Sequence, residues 1–133
     1  VTTAEELPIN VNGDVVLVRQ RVRTVAVNVG LSLVDQTKVV TAASELARNA
    51  LVYAGGGQVR VEVVHNGVRQ GLRMTFSDNG PGIPDIEQAL TDGWTTGNGL
   101  GLGLSGSRRL VDEFALESTP GEGTLITVTK WAR

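Results

Sequence analysis

The 133 residues suffice for one domain, and 41% hydrophobic with 20% charged residues is enough apolar material for a core, which excludes whole-chain disorder. A net charge of −2 and a pI near 5.3 exclude the basic footprint expected of a nucleic-acid binder, and the absence of cysteine excludes disulfides, thiolate metal sites and thiol nucleophiles. No apolar stretch approaches the ~20 residues of a membrane span and no basic-then-apolar leader opens the chain, so the expectation is a soluble, cytoplasmic single domain over residues 1–133, with neither nucleic acid nor membrane as partner.

In chain order, residues 7–12 (LPINVN) read as a short strand, after which Asn12 or Asp14 can cap a helix. Val18, Val22, Val25 and Val29 recur at helical spacing, and Gly30 stops that helix. A second helix is predicted from about Asp35 to Ala54, with Val39, Ala43, Leu46 and Ala50 on one face and Gly55, Gly56 and Gly57 ending it. Alternation at Val59, Val61 and Val63, the turn residues Asn66 and Gly67, and then Leu72, Met74 and Phe76 predict a β-hairpin ending at Asp78. A short helix near Ile86–Leu90, a longer one over Leu104–Phe114, and strands near Ala115–Ser118 and Thr124–Lys130 complete the chain. Helices grouped among mostly antiparallel strands imply an α/β two-layer sandwich of the α+β kind, with its helices on one face of the sheet.

Eight of the 17 glycines lie between Gly80 and Gly106, which points to a site built from backbone. Four segments carry chemistry. Glu45 and Asn49 are four apart on a helix and share a face, so one ligand can meet both. A carboxylate can take a hydroxyl proton and an amide oxygen can ligate a hard cation such as magnesium, a pairing suited to phosphoryl transfer. Taken alone, the pair is also what any polar helix face offers.

Asp78, at the head of Asp78-Asn79-Gly80-Pro81-Gly82-Ile83, shares strand parity with Leu72, Met74 and Phe76 and so points to the buried side. A buried carboxylate needs a partner, and the exocyclic amine of a purine is a suitable donor, with Gly80 and Gly82 allowing close approach. The competing reading is a turn in which Asp78 accepts local backbone hydrogen bonds. Gly99-Leu100-Gly101-Leu102-Gly103-Leu104 precedes a predicted helix, where free amides and the helix dipole favour phosphate. No Lys or Arg occurs between Arg73 and Arg108, so triphosphate charge falls to magnesium, backbone amides and Arg48 or Arg108. Finally, Thr124 in Gly121-Glu122-Gly123-Thr124 shares parity with Ile126 and Val128, which sets its hydroxyl near Asp78 and a base.

These four blocks resemble the N, G1, G2 and G3 boxes of the GHKL (Bergerat) superfamily, and the runs SELARNALVYAGGGQV, DNGPGIPDIEQALTDGWTT, RRLVDEF and ITVTKWAR resemble its stressosome switch kinases in particular. The resemblance implies that Glu45 is a general base, that Asn49 ligates Mg2+, and that Asp78 with Gly82 and Thr124 holds the adenine of ATP. It implies a phosphate cradle at Gly99, Gly101 and Gly103 beneath a lid over 85–98, with Gly80, Ile83, Leu100, Leu102 and Arg48 also in the nucleotide site. Two departures disfavour a histidine kinase: Val52 stands where those enzymes often carry Lys or Arg, and the sole histidine, His65, ends a predicted strand.

Three functions follow from the resemblance. The first is a serine/threonine kinase that phosphorylates STAS-domain proteins of a stressosome and, once released, activates a PP2C-type phosphatase. The second is an anti-sigma factor with serine kinase activity, and the third a module that uses nucleotide only as a structural ligand. Arg19, Arg21 and Arg23 on the first helix are either a docking cluster for the phosphatase or a solvated basic face.

Overall fold

Apolar residues at period two and period 3.6 sort this chain into a sheet and a helix layer that bury each other. The computed structural model describes residues 4–80 and 103–133. The predicted short helix at 86–90, the lid at 85–98 and the candidates Gly82, Ile83, Gly99, Leu100, Gly101 and Leu102 lie outside the described residues.

Strand β1 (Ala4–Ile9) leads into helix α1 (Asn12–Asn28), which is followed by helix α2 (Leu33–Ala54). The hairpin β2 (Gly57–His65) and β3 (Gln70–Asp78), helix α3 (Gly103–Arg109), and strands β4 (Glu113–Thr119) and β5 (Gly123–Trp131) complete the described elements. The sheet order is β1-β2-β3-β5-β4, and every pairing among these strands is antiparallel. The two-layer α/β sandwich expected from the sequence is what forms.

β1 ends at Ile9, three residues before the predicted end, because the next amides are claimed by a cap. The Asp14 carboxylate accepts the N–H groups of Asn10 at 2.8 Å and Val11 at 3.2 Å, which pulls both out of the ladder and starts α1. α2 is capped at both ends. Ser32 Oγ accepts the Asp35 N–H at 3.1 Å, and Gly55 at φ 74° ends the helix with its N–H bonded to the Leu51 carbonyl. Between β2 and β3, Asn66 Oδ1 accepts the amides of Val68 and Arg69 while Gly67 takes φ 91°, so the hairpin register follows from the residues the sequence offered.

α1 contributes Val18, Val22 and Ala26 to the core, α2 contributes Val39, Ala43, Leu46 and Ala50, and the sheet answers with Val59, Val61, Leu72, Met74, Phe76, Ile126 and Val128. Both helices pack on the same face of the sheet, and α3 packs against α2.

The third helix is shorter than its periodicity predicts. It ends at Arg109, and Phe114 belongs to β4, paired with Val128. Val111 and Phe114 do pack on the core, which is why the segment mimics a helical stripe. Asp112 breaks it: its N–H bonds the Thr129 carbonyl, and its carboxylate accepts the Trp131 N–H at 2.8 Å. Those bonds commit the chain to the sheet one residue before β4 begins.

Candidate functional site

The site grows from the pairing of β3 with β5, strands that are not consecutive in the chain. In that register Asp78 lies opposite Thr124, and in the β4–β5 register Ser118 lies opposite Thr124 as well. Three polar residues thus form a row across the end of the sheet. Asp78 has the parity of Leu72, Met74 and Phe76, and Thr124 that of Ile126 and Val128, so the row continues the core-facing side of both strands. All three are half-buried.

Glycines hold this end of the sheet together. A Cβ on Gly123, which sits at φ 126°, would lie 2.1 Å from the Asp78 carbonyl oxygen, and one on Gly57 would lie 2.3 Å from the Ser77 carbonyl oxygen. Only glycine lets the neighbouring backbones close in. At Gly80 the space is taken differently. A Cβ there would come within 2.5 Å of the Ala54 Cβ, so Gly80 brings the segment after β3 onto the last turn of α2. Asp78 Oδ1 accepts the Gly80 N–H at 3.0 Å, which is the local turn bond weighed from the sequence, and it leaves the second carboxylate oxygen for another donor.

On α2, Glu45 and Asn49 stand one turn apart and both are half-buried, while Arg48 is exposed. Asn49 Oδ1 is buried without a hydrogen-bond partner among the described residues. Such an atom carries an uncompensated desolvation cost of about 1–3 kcal/mol, and an oxygen of this type is a good ligand for a hard cation. It is one donor of the kind magnesium takes. Gly103 begins α3, whose Leu104, Ser105 and Ser107 are buried, so the end of the glycine-rich run enters a helix packed on the one that carries Glu45 and Asn49. Arg108 is exposed near the other end of α3.

A polar cavity of about 430 Å³ opens beside Asp78, lined by Asn10, Gln58, Ser77, Asn79 and the backbone of Gly55–Gly57. It reaches neither Glu45, Asn49 nor Thr124, and so is a depression beside the row and not its centre.

Ser118 and Lys130 carry no local signal in the sequence that marks them for the site or for burial. Ser118 becomes legible only through its parity with Phe114 and Leu116, once β4 starts at Glu113. Lys130 is a buried cation in β5 whose Nζ lies 3.5 Å from carboxylates of both Asp35 and Asp112, tying the first turn of α2 to the start of β4. The three arginines Arg19, Arg21 and Arg23 are all exposed, on a helix that also exposes Val16, Leu17 and Val27, and Arg21 Nε lies 3.0 Å from Glu5 of β1. No helix among the described residues is long and apolar enough to cross a membrane.

Comparison with known proteins gives the family and a likeness of fold. Residues 34–133 match the family described as histidine kinase-, DNA gyrase B- and HSP90-like ATPase. The chain is 50% identical over 120 residues to the serine/threonine-protein kinase RsbT of Bacillus subtilis (strain 168), covering 90% of each chain. It is 30% identical over 97 residues to an anti-sigma F factor of Caldanaerobacter subterraneus subsp. tengcongensis, covering 70% of this chain and 68% of that one. Among solved structures, the RsbU and RsbW domains of a Mycobacterium tuberculosis protein superpose with a TM-score of 0.67 at 21% identity, over 99% of this chain and 33% of that one, a likeness of fold.

Proposed function

The chain belongs to the histidine kinase-, DNA gyrase B- and HSP90-like ATPase family, and from that premise we propose that it is an ATP-dependent serine/threonine protein kinase of the switch type. The observation that carries the reading is Asn49 Oδ1, buried one helical turn from Glu45 with no hydrogen-bond partner among the described residues.

Asn49 would hold a magnesium ion, which would supply charge neutralisation for the phosphates of a site poor in cationic side chains. Glu45 accepts the proton of the acceptor hydroxyl on the partner protein as that oxygen becomes a nucleophile. Asp78, with Thr124 beside it, takes the exocyclic amine of adenine, and Gly80 keeps the Asp78 segment seated on α2. Gly82, Ile83, Gly99, Leu100, Gly101, Leu102 and Gly103 complete the base and phosphate contacts in this reading, with Arg48 at the rim. The substrates are STAS-domain proteins of a stressosome. Once released from them the kinase binds and activates a PP2C-type phosphatase, all within the cytoplasm.

The anti-sigma F factors among the relatives favour a second reading, an anti-sigma factor with serine kinase activity. Incubation with γ-labelled ATP, magnesium and purified STAS-domain proteins tests the proposal. Label should move to a serine or threonine of the STAS protein. Absence of transfer, together with stable capture of a sigma factor, would replace the first reading by the second.

A further inference from the structure

Ser77 and Asp78 end β3 in two gaps that missing side chains leave open. The place of a Cβ on Gly57, at the start of β2, is taken by the Ser77 carbonyl oxygen, with the Asp78 Cβ 3.1 Å away. On the other flank the place of a Cβ on Gly123 is taken by the Asp78 carbonyl oxygen, with the Asn79 Cα at 3.0 Å. Successive carbonyls of β3 thus sink into the two neighbouring strands, and Asp78 is held between them. The two glycines differ in kind. Gly123 sits at φ 126°, where any side chain is strained, whereas Gly57 is not among the glycines of positive φ. What Gly57 supplies is space alone.

We propose that Gly57 is a positioning residue for nucleotide binding, whose missing Cβ lets the Ser77–Asp78 peptide settle onto β2 and so aims the Asp78 carboxylate at the base. The proposal rests on the ATP-site reading above and goes beyond it, because Gly57 lies outside the four segments that carry chemistry and reads in the sequence only as the end of α2. An alanine at this position meets a backbone oxygen and not the tip of a flexible side chain, so the Ser77–Asp78 peptide has to move. The Asp78 Cβ is displaced with it. Asp78 Oδ1 stays tethered to the Gly80 amide at 3.0 Å, and Gly80 is itself pressed against Ala54. The carboxylate therefore turns instead of following the strand, and a hydrogen bond weakens steeply once its angle is lost.

Gly71 is a matched control at the opposite end of β3. It also lacks a positive φ, and a Cβ there would come 2.6 Å from the Trp131 ring and 2.9 Å from the Lys130 carbonyl oxygen. The test is titration calorimetry of the parent, Gly57→Ala and Gly71→Ala with ATP and with ADP, with and without magnesium, beside urea denaturation of each protein. Gly57→Ala should weaken both nucleotides by about tenfold or more and keep the parental gain in ATP affinity on adding magnesium. Gly71→Ala should lose stability and keep parental affinities. If Gly57→Ala does not fold in buffer, the same titrations of all three proteins in trimethylamine N-oxide, which strengthens burial, decide the matter. Parental affinity in Gly57→Ala, equal weakening in both variants, a loss confined to ATP or to the magnesium gain, or a Gly57→Ala that stays unfolded in the osmolyte overturns the proposal alone. A parent that binds neither nucleotide overturns the ATP-site reading and this proposal with it.

Discussion

Asp78 and Thr124 face each other across the β3–β5 ladder, although β4 and a helix intervene between their strands in the chain. The pair proposed to bind the base is thus created by strand order and not by any local motif. Everything predicted about nucleotide recognition depends on that juxtaposition.

Asp78→Asn should weaken ATP and ADP alike, by about ten- to a hundredfold, because a charged acceptor is lost on the base that both nucleotides share. Calorimetric titration with each nucleotide measures it. Selective loss of ATP would move Asp78 from the base to the phosphates.

The two residues of α2 should fail in different ways. Asn49→Ala is expected to abolish magnesium-dependent ATP binding, since no cluster of three acidic or histidine side chains among the described residues could hold the ion instead. Glu45→Gln should bind nucleotide nearly as the parent does while transfer slows by about 10² to 10⁴. Titrations with and without magnesium, beside single-turnover phosphotransfer, separate the two roles.

Stability should fall on acidification through Asp112. Burial works to raise its pKa, but the Trp131 amide and the charges of Lys130 and Arg133 outweigh that and hold it below the ordinary value of 3.8. A carboxyl depressed in the folded state contributes stability above its unfolded pKa and loses it as the pH falls through the folded one. Urea midpoints should therefore drop below about pH 4, and Asp112→Asn should flatten that part of the profile. Lys130→Met, which strips Asp35 and Asp112 of their shared cation, should destabilise the fold at neutral pH by on the order of 3 kcal/mol. Denaturation of the three proteins across pH checks both statements.

On α1, Arg19 and Arg23 are exposed on the face that also exposes Val16 and Val27, and Arg21, exposed as well, pairs with Glu5. If this face docks the phosphatase, Arg19→Glu with Arg23→Glu should weaken phosphatase activation while STAS phosphorylation persists. Glu45→Gln should do the reverse. Phosphatase turnover at matched concentrations of each variant is the measurement, and full activation by the arginine variant would assign docking to another face.

By itself the sequence determined what is local: the helix that aligns Glu45 with Asn49, the Asn66-Gly67 hairpin, and the parity that turns Asp78 inward. Each follows from a period of 3.6 or two, or from the φ preference of one residue, and each survives folding unchanged. Tertiary structure alone decided which strands became neighbours, and so brought Ser118 and Thr124 to Asp78. It also overruled the helical stripe from Leu104 to Phe114, because Asp112 gains backbone partners on β5 that lie nowhere near it in the chain. The burial of Lys130 has the same origin. A lysine in a strand reads as surface until the folded chain delivers two carboxylates to the same buried point, and periodicity carries no information about partners so distant in sequence.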